Sequence, residues 1–317
     1  MNHADPNRTA ELARNVAVAL RFKQTQGKPE MPQVEQEVLA PFYDRVRGGN
    51  LHLAGNARDQ GWPHPALYLR AAFPDRVDVM EQVIADGDRV GLLFRVTGTH
   101  TGNFFGIPPT GKKIDVYEVA MLRVFNGQMV EGWYMMDEAA LLQQLGVKLP
   151  VRKDGKLITP AIPQTDDGPT FVSKLEKLPV NSTLDRNRLA AARTRLTTKG
   201  KAGLAANHQL QRFGFVHMRD YSRAQGHGEL ALDTAFPDRY YGLDVLLAEG
   251  NQVWVRFNVH GTHQAPLCGI APTGARMGVN AVCILNFDDA GEIVNSWTFA
   301  DELGVLLQLG RPNLLLE

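Results

Sequence analysis

The sequence predicts an α+β fold of two tandem cone-shaped domains, each a strongly curved antiparallel sheet wrapped round N-terminal helices and followed by a short C-terminal helix. The first observation is an internal repeat, since residues 72–122 align with residues 235–285 without a gap. The second is the order within each copy, where helical periodicity comes first and long alternating strands follow. Such a cone is open at one end, so each domain is expected to form a small-molecule pocket.

Short strings carry the repeat and fix the domain organisation. They are Ala-Phe-Pro-Asp-Arg at 72–76 and 235–239, Gly-Thr-His at 98–100 and 261–263, and Gly-Ile-Pro-Pro-Thr-Gly at 106–111, which returns as Gly-Ile-Ala-Pro-Thr-Gly at 269–274. We therefore expect a first domain at 1–148, a linker at 149–182 and a second domain at 183–317.

Charge and composition limit the classes of partner. Lys plus Arg and Asp plus Glu number 34 each, so no net charge draws the chain to nucleic acid or to an anionic membrane surface. The N-terminus lacks the apolar core of a secretory signal, and no run of about 18 apolar residues is present. A cytoplasmic protein is therefore expected. Cys268 and Cys283 both lie in the second copy and are expected to be buried, reduced thiols.

The periodicity of apolar residues predicts the elements of the first copy. The pairs Asp86-Gly87 and Asn126-Gly127 are typical of hairpin turns, and Gly146 is placed to end a helix. In order, we expect helices at 9–27 and 33–39, a bent strand within 42–57, a short helix at 63–71, strands at 77–84, 89–100 and 113–125, a return strand to Met135 and a helix from Asp137 to Leu145.

The segment 147–181 is rich in proline and has little periodicity, which is typical of a linker, with a short element expected near 171–178. The second copy is expected to begin with a helix at 184–210, because this stretch is rich in Ala, Leu and Arg. The strands of the first copy should then recur, and a helix at 302–309 should close the domain.

His100 and His263 occupy equivalent positions at the end of an apolar strand face. The alternation of the preceding apolar residues points both imidazoles towards the interior. Two interpretations are open at this point. Each imidazole is either a buried neutral group that is hydrogen-bonded to backbone, or an acid, base or hydrogen-bond donor of the pocket.

Asp137 and Asp301 each follow a tryptophan by four residues, Trp133 and Trp297. Alternation along the strand puts the indole and the carboxylate on one face, and burial beside an aromatic ring would raise a carboxyl pKa towards the range of a general base. Each Asp also directly precedes a helix and is a good N-cap residue. The two roles are compatible.

The remaining candidates are less regular. His52 and His217 match only across a gap, and each is either a pocket residue or a surface polar residue. Glu118 has the alternation of an inward strand residue, although a solvated carboxylate is the other interpretation. The candidate substrate contacts are Trp133, Tyr117, Glu118 and Tyr134 in the first copy and Trp297 and Asn280 in the second.

No recognised motif indicates a metal or a cofactor. The chain has no Cys-x-x-Cys, His-Glu-x-x-His or nucleophile-elbow string. The Gly-Ile-Pro-Pro-Thr-Gly string lacks the Lys-Ser/Thr pair of a phosphate-binding loop. We therefore expect neither a metal nor a cofactor.

The repeated strings together resemble the SnoaL-like polyketide cyclase, or ester cyclase, family. The resemblance rests on Phe-Pro-Asp at 73–75, Gly-Thr-His-Thr-Gly at 98–102, Gly-Ile-Pro-Pro-Thr-Gly-Lys at 106–112, the strand at 127–133, Asp137 and Leu-Leu-Gln-Gln-Leu-Gly at 141–146. It covers most of residues 72–146 and, more loosely, 235–310. It implies the cone of the nuclear transport factor and ketosteroid isomerase superfamily.

The resemblance also implies a chemistry. In polyketide cyclases of the family, the aspartate of the Trp-x-x-x-Asp position is the general acid/base of an intramolecular aldol closure that needs no metal or cofactor. That role maps onto Asp137 and Asp301. The family pattern also has histidines at four positions that are histidines here, namely His100, His263, His52 and His217.

Two departures from the family pattern bear on activity. The family usually has a basic or histidine residue just before the tryptophan, whereas this chain has Gly132 and Ser296. The second copy also has Gln-Ala-Pro at 264–266 where the first has Thr-Gly-Asn at 101–103. The altered pocket mouth favours the first copy as the active one.

We therefore expect a cofactor-free enzyme that removes a proton next to a carbonyl of an apolar, polyketide-like or aromatic molecule, in an aldol-type cyclisation or an isomerisation. Asp137 is the expected base, and His100 and His52 are expected to position or polarise the carbonyl. The alternatives are a non-catalytic protein that binds a hydrophobic small molecule, and a pseudo-dimeric scaffold with one degenerate copy. The two domains are expected to pair within the chain, and the sequence leaves open whether a homodimer also forms. Nucleic acid and membranes are not expected as partners.

Overall fold

The computed structural model describes residues 9–47, 65–150, 162 and 167–317. The chain divides into two compact units, residues 1–159 and 160–315, and the last two residues group with the first unit. Each unit has its own five-stranded sheet with helices. The predicted α+β class and the two tandem domains are confirmed.

The first domain has the predicted order of elements. They are α1 (Ala10–Gln24), α2 (Met31–Val38), β1 (Leu39–Arg47), α3 (Pro65–Ala72), β2 (Val77–Asp86), β3 (Arg89–Thr99), β4 (Lys113–Phe125), β5 (Gln128–Met136) and α4 (Glu138–Leu145). Only the part up to Arg47 of the bent strand expected within 42–57 lies in the described residues.

The sheet of the first domain runs β1-β5-β4-β3-β2. Its four later strands pair antiparallel, as predicted, through two hairpins. Asn126 and Gly127 both have positive φ, 49° and 77°, as a type I′ turn between β4 and β5 requires. The first strand differs from the prediction, because β1 joins the edge of the sheet parallel to β5 and makes the sheet mixed.

Helix α1 packs against the sheet of the first domain. Thr9 caps it, since the Thr9 hydroxyl accepts a hydrogen bond from the backbone N–H of Leu12 at 3.3 Å. The buried residues Val16, Ala19 and Phe22 recur at helical spacing, and the helix packs against β2 and β3. The last turn of α1 therefore reaches the concave face of the sheet.

The second domain repeats this plan. Its elements are α5 (Gly168–Leu175), α6 (Thr183–Ala192), a π-helical turn (Arg193–Thr197), β6 (Leu204–Arg212), α7 (Val216–Ala224), α8 (Leu232–Ala235), β7 (Tyr240–Glu249), β8 (Gln252–Thr262), β9 (Arg276–Phe287), β10 (Ile293–Ala300), α9 (Glu302–Gln308) and a 3₁₀ turn (Leu314–Leu316). The sheet order is β6-β10-β9-β8-β7, and β6 pairs parallel to β10.

The helix predicted at 184–210 is wrong beyond Thr197. Lys199, Gly200 and Gly203 have positive φ, 56°, 81° and 75°, which ends the helix. The next residues form β6 at the edge of the sheet. Pairing with β10 decides this structure, and the helix propensity of the segment does not.

The segment expected to be a linker also contains part of the second domain. Within it, α5 packs Val172 into the core of this domain together with Ala191 and Phe236. Asp167 caps this helix by accepting a hydrogen bond from the backbone N–H of Thr170 at 2.8 Å. The second unit therefore begins before residue 183, where the boundary was expected.

Two further expectations concern cysteines and membranes. Cys268 and Cys283 are free and buried, as predicted, and burial raises the pKa of the Cys268 thiol to about 11. Among the described helices, none has the length and apolar character needed to span a bilayer.

Candidate functional site

The interior of the first domain contains a buried ionic cluster. Lys23 comes from α1, Arg76 precedes β2, Asp78 lies on β2 and Glu118 on β4. Arg76 donates two hydrogen bonds to Asp78, at 2.8 and 3.1 Å, and Lys23 Nζ lies 2.9 Å from Asp78 Oδ2. Glu118 Oε2 lies 3.7 Å from Arg76 Nη2 and 4.0 Å from Lys23 Nζ. Two cations and two carboxylates thus neutralise each other.

Burial and pairing act against each other in this cluster. Burial would raise the pKa of Asp78, but the charges and hydrogen bonds of Arg76 and Lys23 outweigh burial and lower it. Burial lowers the pKa of Lys23, and the attraction of Asp78 and Glu118 offsets only part of this effect. The lysine also lies 4.0 Å from the centroid of the Phe94 ring.

The second domain keeps the cations of this cluster and loses both carboxylates. Tyr241 stands opposite Val259 in the β7–β8 pair, as Asp78 stands opposite Val96 in β2–β3. Ala281 stands opposite Phe257, as Glu118 stands opposite Phe94. Arg239 takes the place of Arg76 in the repeated Phe-Pro-Asp-Arg string, and Arg195 packs over the Phe257 ring as Lys23 packs over Phe94.

A cavity of about 620 Å³ opens on the concave face of the second sheet. We call it the second-domain cavity. Its apolar wall includes Leu204, Leu210, Phe213, Phe215, Leu230, Leu232, Phe257, Val259, Ala281 and Ala300, and its polar and charged wall includes Arg195, Lys199, Lys201, His208, Asp233, Arg239, Tyr241, Ser296 and Thr298. A volume of this size suits a small-molecule ligand.

Two side chains that line the cavity, His208 and Arg195, are hydrogen-bonded to strand β10. His208 Nε2 lies 2.9 Å from Ser296 Oγ, and Arg195 Nη2 donates to Thr298 Oγ1 at 3.0 Å. Ser296 and Thr298 are two residues apart, so they face the same way and stand roughly 7 Å apart along the strand. An imidazole and a guanidinium are thus held over neighbouring positions of one strand face.

A second charged group lines the cavity where α8 meets β7. Arg239 donates to Tyr241 Oη at 3.0 Å and to Asp233 Oδ1 at 2.8 Å. Asp233 also binds Lys201, whose Nζ lies 2.8 Å from Oδ2, and Lys199, whose Nζ lies 3.5 Å from Oδ1. The hydrogen bond from Lys201, together with the nearby charge of Arg239, lowers the pKa of Asp233 despite its partial burial.

The comparison with known families agrees with the repeat. A model of the SnoaL-like polyketide cyclase family matches residues 62–145 and 229–309, which together make up more than half of the 317 residues. The chain belongs to the SnoaL-like polyketide cyclase family. It carries two SnoaL-like domains in tandem, and each of the two five-stranded sheets belongs to one of them. None of the curated proteins compared with the chain matches it.

Solved structures similar to this chain each match over about one SnoaL-like domain. A protein from Jannaschia sp. CCS1, assigned as a SnoaL-like polyketide cyclase, is 26% identical, covers 44% of this chain and 97% of its own, and has a TM-score of 0.38. IdmH from Streptomyces antibioticus, assigned as a polyketide cyclase, is 27% identical, covers 42% of this chain and 99% of its own, and has a TM-score of 0.37. AclR from Streptomyces galilaeus, assigned as a hydroxylase, is 26% identical, covers 43% of this chain and 97% of its own, and has a TM-score of 0.36.

In both SnoaL-like domains the predicted histidine is a fully buried partner of a turn. His100 Nδ1 lies 3.0 Å from Thr110 Oγ1 and accepts the Thr110 backbone N–H at 3.3 Å. His263 makes the same two contacts with Thr273, at 3.1 and 3.2 Å. Burial lowers the pKa of both imidazoles. This geometry matches the structural role left open above, and His263 does not line the second-domain cavity.

The predicted aspartates cap the closing helices. Asp137 Oδ1 accepts the backbone N–H of Ala140 at 3.0 Å, and Asp301 Oδ1 accepts that of Gly304 at 2.9 Å. Both carboxylates are buried. Ser296, Thr298 and Ala300 line the second-domain cavity and Asp301 does not. The structure thus gives each Asp the capping role and does not bring Asp301 to the described cavity.

The expected substrate contacts divide between the two sheet faces. In the second domain, Trp297 and Asn280 alternate with cavity residues and therefore lie on the opposite face of the sheet. In the first domain, Glu118 joins the buried ionic cluster, and Tyr134 hydrogen-bonds to Tyr43 with 2.8 Å between the two hydroxyls. Trp133 and Tyr117 lie on the other face from these two, because they are their strand neighbours.

Of the last two candidate histidines, the structure describes only His217, and it does not join these groups. His217 is half-buried at the start of α7, where its backbone N–H donates to Glu302 Oε1 at 3.1 Å. It does not line the second-domain cavity. His52 lies outside the described residues.

Sequence reasoning missed the residues that give the cavity its chemistry. His208 and Arg195 fall in the stretch predicted as one long helix, and Arg239 was seen only as part of a repeated string. Two signals were available. Leu204, His208 and Leu210 alternate as in a strand after Gly203. The gapless repeat alignment also replaces both carboxylates of the first domain while it keeps the arginine.

Proposed function

We propose that the second SnoaL-like domain, and not the first copy that the sequence favoured, is a small-molecule enzyme of polyketide cyclase type that needs no cofactor. It removes a proton from the carbon next to a carbonyl of an apolar substrate and closes a ring by aldol addition. The observation that carries this proposal is the second-domain cavity, in which His208 and Arg195 are held over one face of β10.

His208 is the acid/base of the proposed reaction. When Ser296 accepts a hydrogen bond from Nε2–H, the lone pair on Nδ1 is available to take the substrate proton. The carbon keeps the bonding electrons, and an enolate forms. Proton transfer by a positioned imidazole contributes about 10²–10⁴ to a rate.

Arg195 stabilises the negative charge that develops on the enolate oxygen. Its guanidinium is fixed by Thr298 and by the Phe257 ring, so it needs little rearrangement during the reaction. The enolate carbon then attacks a second carbonyl, a carbon–carbon bond forms, and the resulting alkoxide takes the proton back from His208. Apolar side chains, among them Phe213 and Phe215, line the cavity beside these groups.

A binding function without turnover is the second candidate. It is favoured by the capping role of the Asp301 carboxylate, which lies away from the second-domain cavity. The catalytic roles expected for Asp137, Asp301, His100, His263, His217 and His52 stay predictions. The pairing of the two domains within the chain, a homodimer and a cytoplasmic location also stay predictions.

The test uses the full chain and 2-acetylnaphthalene, an apolar ketone with slowly exchanging α-hydrogens. Proton NMR in D₂O follows the exchange of these hydrogens for deuterium, and calorimetry follows binding. We expect the protein to accelerate exchange, His208→Gln to lower the protein-catalysed rate by about a hundredfold, and Arg195→Met to lower it as well.

The matched control is His227→Gln, because His227 is exposed and does not line the cavity. It should exchange the probe at the wild-type rate. Binding of the ketone without exchange in the wild type would favour the binding function, and an undiminished rate in His208→Gln would overturn the assignment of this histidine.

A further inference from the structure

We infer that the second-domain cavity selects substrates that carry a carboxylate on an apolar body, and that Arg239 binds this carboxylate. The inference rests on the proposed function, because it names the substrate class of the same cavity. It follows from a comparison of the charged residues inside the second domain with those at the equivalent positions of the first domain.

In the first domain the positive and negative charges of the buried cluster balance. Arg76 and Lys23 are neutralised by Asp78 and Glu118, all four within a buried cluster. Burying a cation without a partner costs several kcal/mol, so such a cluster is stable only with both signs present. The carboxylates belong to the chain itself, and the cluster needs no ligand.

In the second domain the same positions leave two cations with little negative charge. Tyr241 and Ala281 replace the two carboxylates. Arg239 remains buried, with 8% of its surface exposed. Among the described residues, its Nη1 atom has no hydrogen-bond partner, and the same is true of Arg195 Nε. A ligand carboxylate would supply the missing charge and acceptor.

Among the described residues that line this cavity, Asp233 is the only carboxylate. Its side chain is half exposed, and it is shared by Arg239, Lys201 and Lys199. With Arg195, the lining therefore carries four cations against one carboxylate. The positive excess attracts an anionic ligand into the cavity and favours its charged form once bound.

The wall composition distinguishes a carboxylate on an apolar body from a small inorganic anion. Phe213, Phe215, Leu230 and Leu232 line the same cavity as the cations. A phosphate ion would leave these side chains exposed to water, whereas an apolar body buries them. In the first domain the equivalent Arg76 binds a carboxylate through Nε and Nη2. In Arg239 these two atoms donate to Tyr241 and Asp233, so the ligand carboxylate would accept from Nη1.

The experiment compares two probes of one shape, 6-acetyl-2-naphthoate and neutral 2-acetylnaphthalene, by calorimetry at low salt. The wild type should bind the carboxylate probe about tenfold more tightly or better. Ala281→Glu restores the carboxylate of the first domain beside Arg239 and should abolish this preference. Ala281→Gln, which adds the same volume without charge, should keep it.

The ratio of the two affinities is the readout, so a steric effect shared by both probes cancels. Circular dichroism checks that each variant is folded. If Ala281→Glu does not fold, Arg239→Gln tests the same point and should also abolish the preference. Equal affinities in the wild type, or a preference that survives in Ala281→Glu or Arg239→Gln, would overturn the inference.

Inorganic phosphate serves as a third probe. Displacement of 6-acetyl-2-naphthoate by phosphate at equal concentration would also overturn the inference, because the apolar body would then contribute nothing. The α-hydrogen exchange of the two probes tests the proposed function separately. Exchange of the neutral ketone without a carboxylate preference refutes the inference alone, whereas a carboxylate preference without exchange of either probe refutes the enzyme alone.

Discussion

Lys23 Nζ lies 2.9 Å from Asp78 Oδ2 in the first domain, and the two side chains are 3% and 0% exposed. Asp78 also accepts two hydrogen bonds from Arg76. The corresponding position of the second domain holds Tyr241, which lines an open cavity. One copy of the SnoaL-like domain thus keeps its interior charges paired within the chain, and the other leaves cations available to a ligand.

Removing the Asp78 charge should destabilise the first domain strongly. Asp78→Asn keeps the side-chain volume but leaves Arg76 and Lys23 with one carboxylate for two buried cations. Breaking a buried ion pair in this way costs about 3–5 kcal/mol. Hydrogen–deuterium exchange of peptides from β2 and β3 in increasing urea should show the loss.

The matched control is the exposed pair of Arg123 and Asp88, whose side chains are 47% and 42% exposed. Asp88→Asn should change the protection of the same peptides only slightly, because water screens this pair. Equal losses in the two variants would contradict a special contribution of the buried cluster.

The sequence predicted most of the fold because the repeated strands have strict alternation and clear turn residues. The β4–β5 hairpin at Asn126 and Gly127 is an example. The parallel edge strands β1 and β6 were not predicted as such. Their pairing is decided by a strand far along the chain, and β6 has the composition of a helix.

The candidate site was less predictable for the same reason. His208 and Arg195 reach the cavity only because β6 pairs with β10 and a π-helical turn ends the preceding helix. Local spacing pointed instead to His263 and Asp301, whose periodicity reflects a buried turn and a helix cap. A buried polar residue at a strand end needs a hydrogen-bond partner, and a neighbouring turn can supply it without any ligand.

The two buried histidines should make stability depend on pH. Burial lowers the pKa of His100 and His263 from 6.5, and a hydrogen bond with the backbone offsets only part of this effect. Below about pH 6.5 the unfolded chain therefore binds protons that the folded protein does not bind, and the free energy of unfolding falls as pH falls.

The double variant His100→Gln, His263→Gln should lose this part of the pH dependence. Urea unfolding at several pH values from about 7.5 to 5.5 measures it. His260 also has a lowered pKa, through burial and the nearby Arg276, so His260→Gln is the control and should remove only its own share. An unchanged slope in the double variant would show that other groups cause the pH dependence.

The capping role of Asp301 can be separated from a catalytic role by two substitutions. Asp301→Ala removes the acceptor of the Gly304 N–H and should lower the free energy of unfolding by about 1 kcal/mol. Asp301→Asn keeps an acceptor oxygen and should keep most of the stability. Since Asp301 does not line the second-domain cavity, Asp301→Asn should also exchange the α-hydrogens of 2-acetylnaphthalene at the wild-type rate. Loss of exchange in a fully stable Asp301→Asn protein would instead indicate that the base is Asp301, as predicted from the sequence, and not His208.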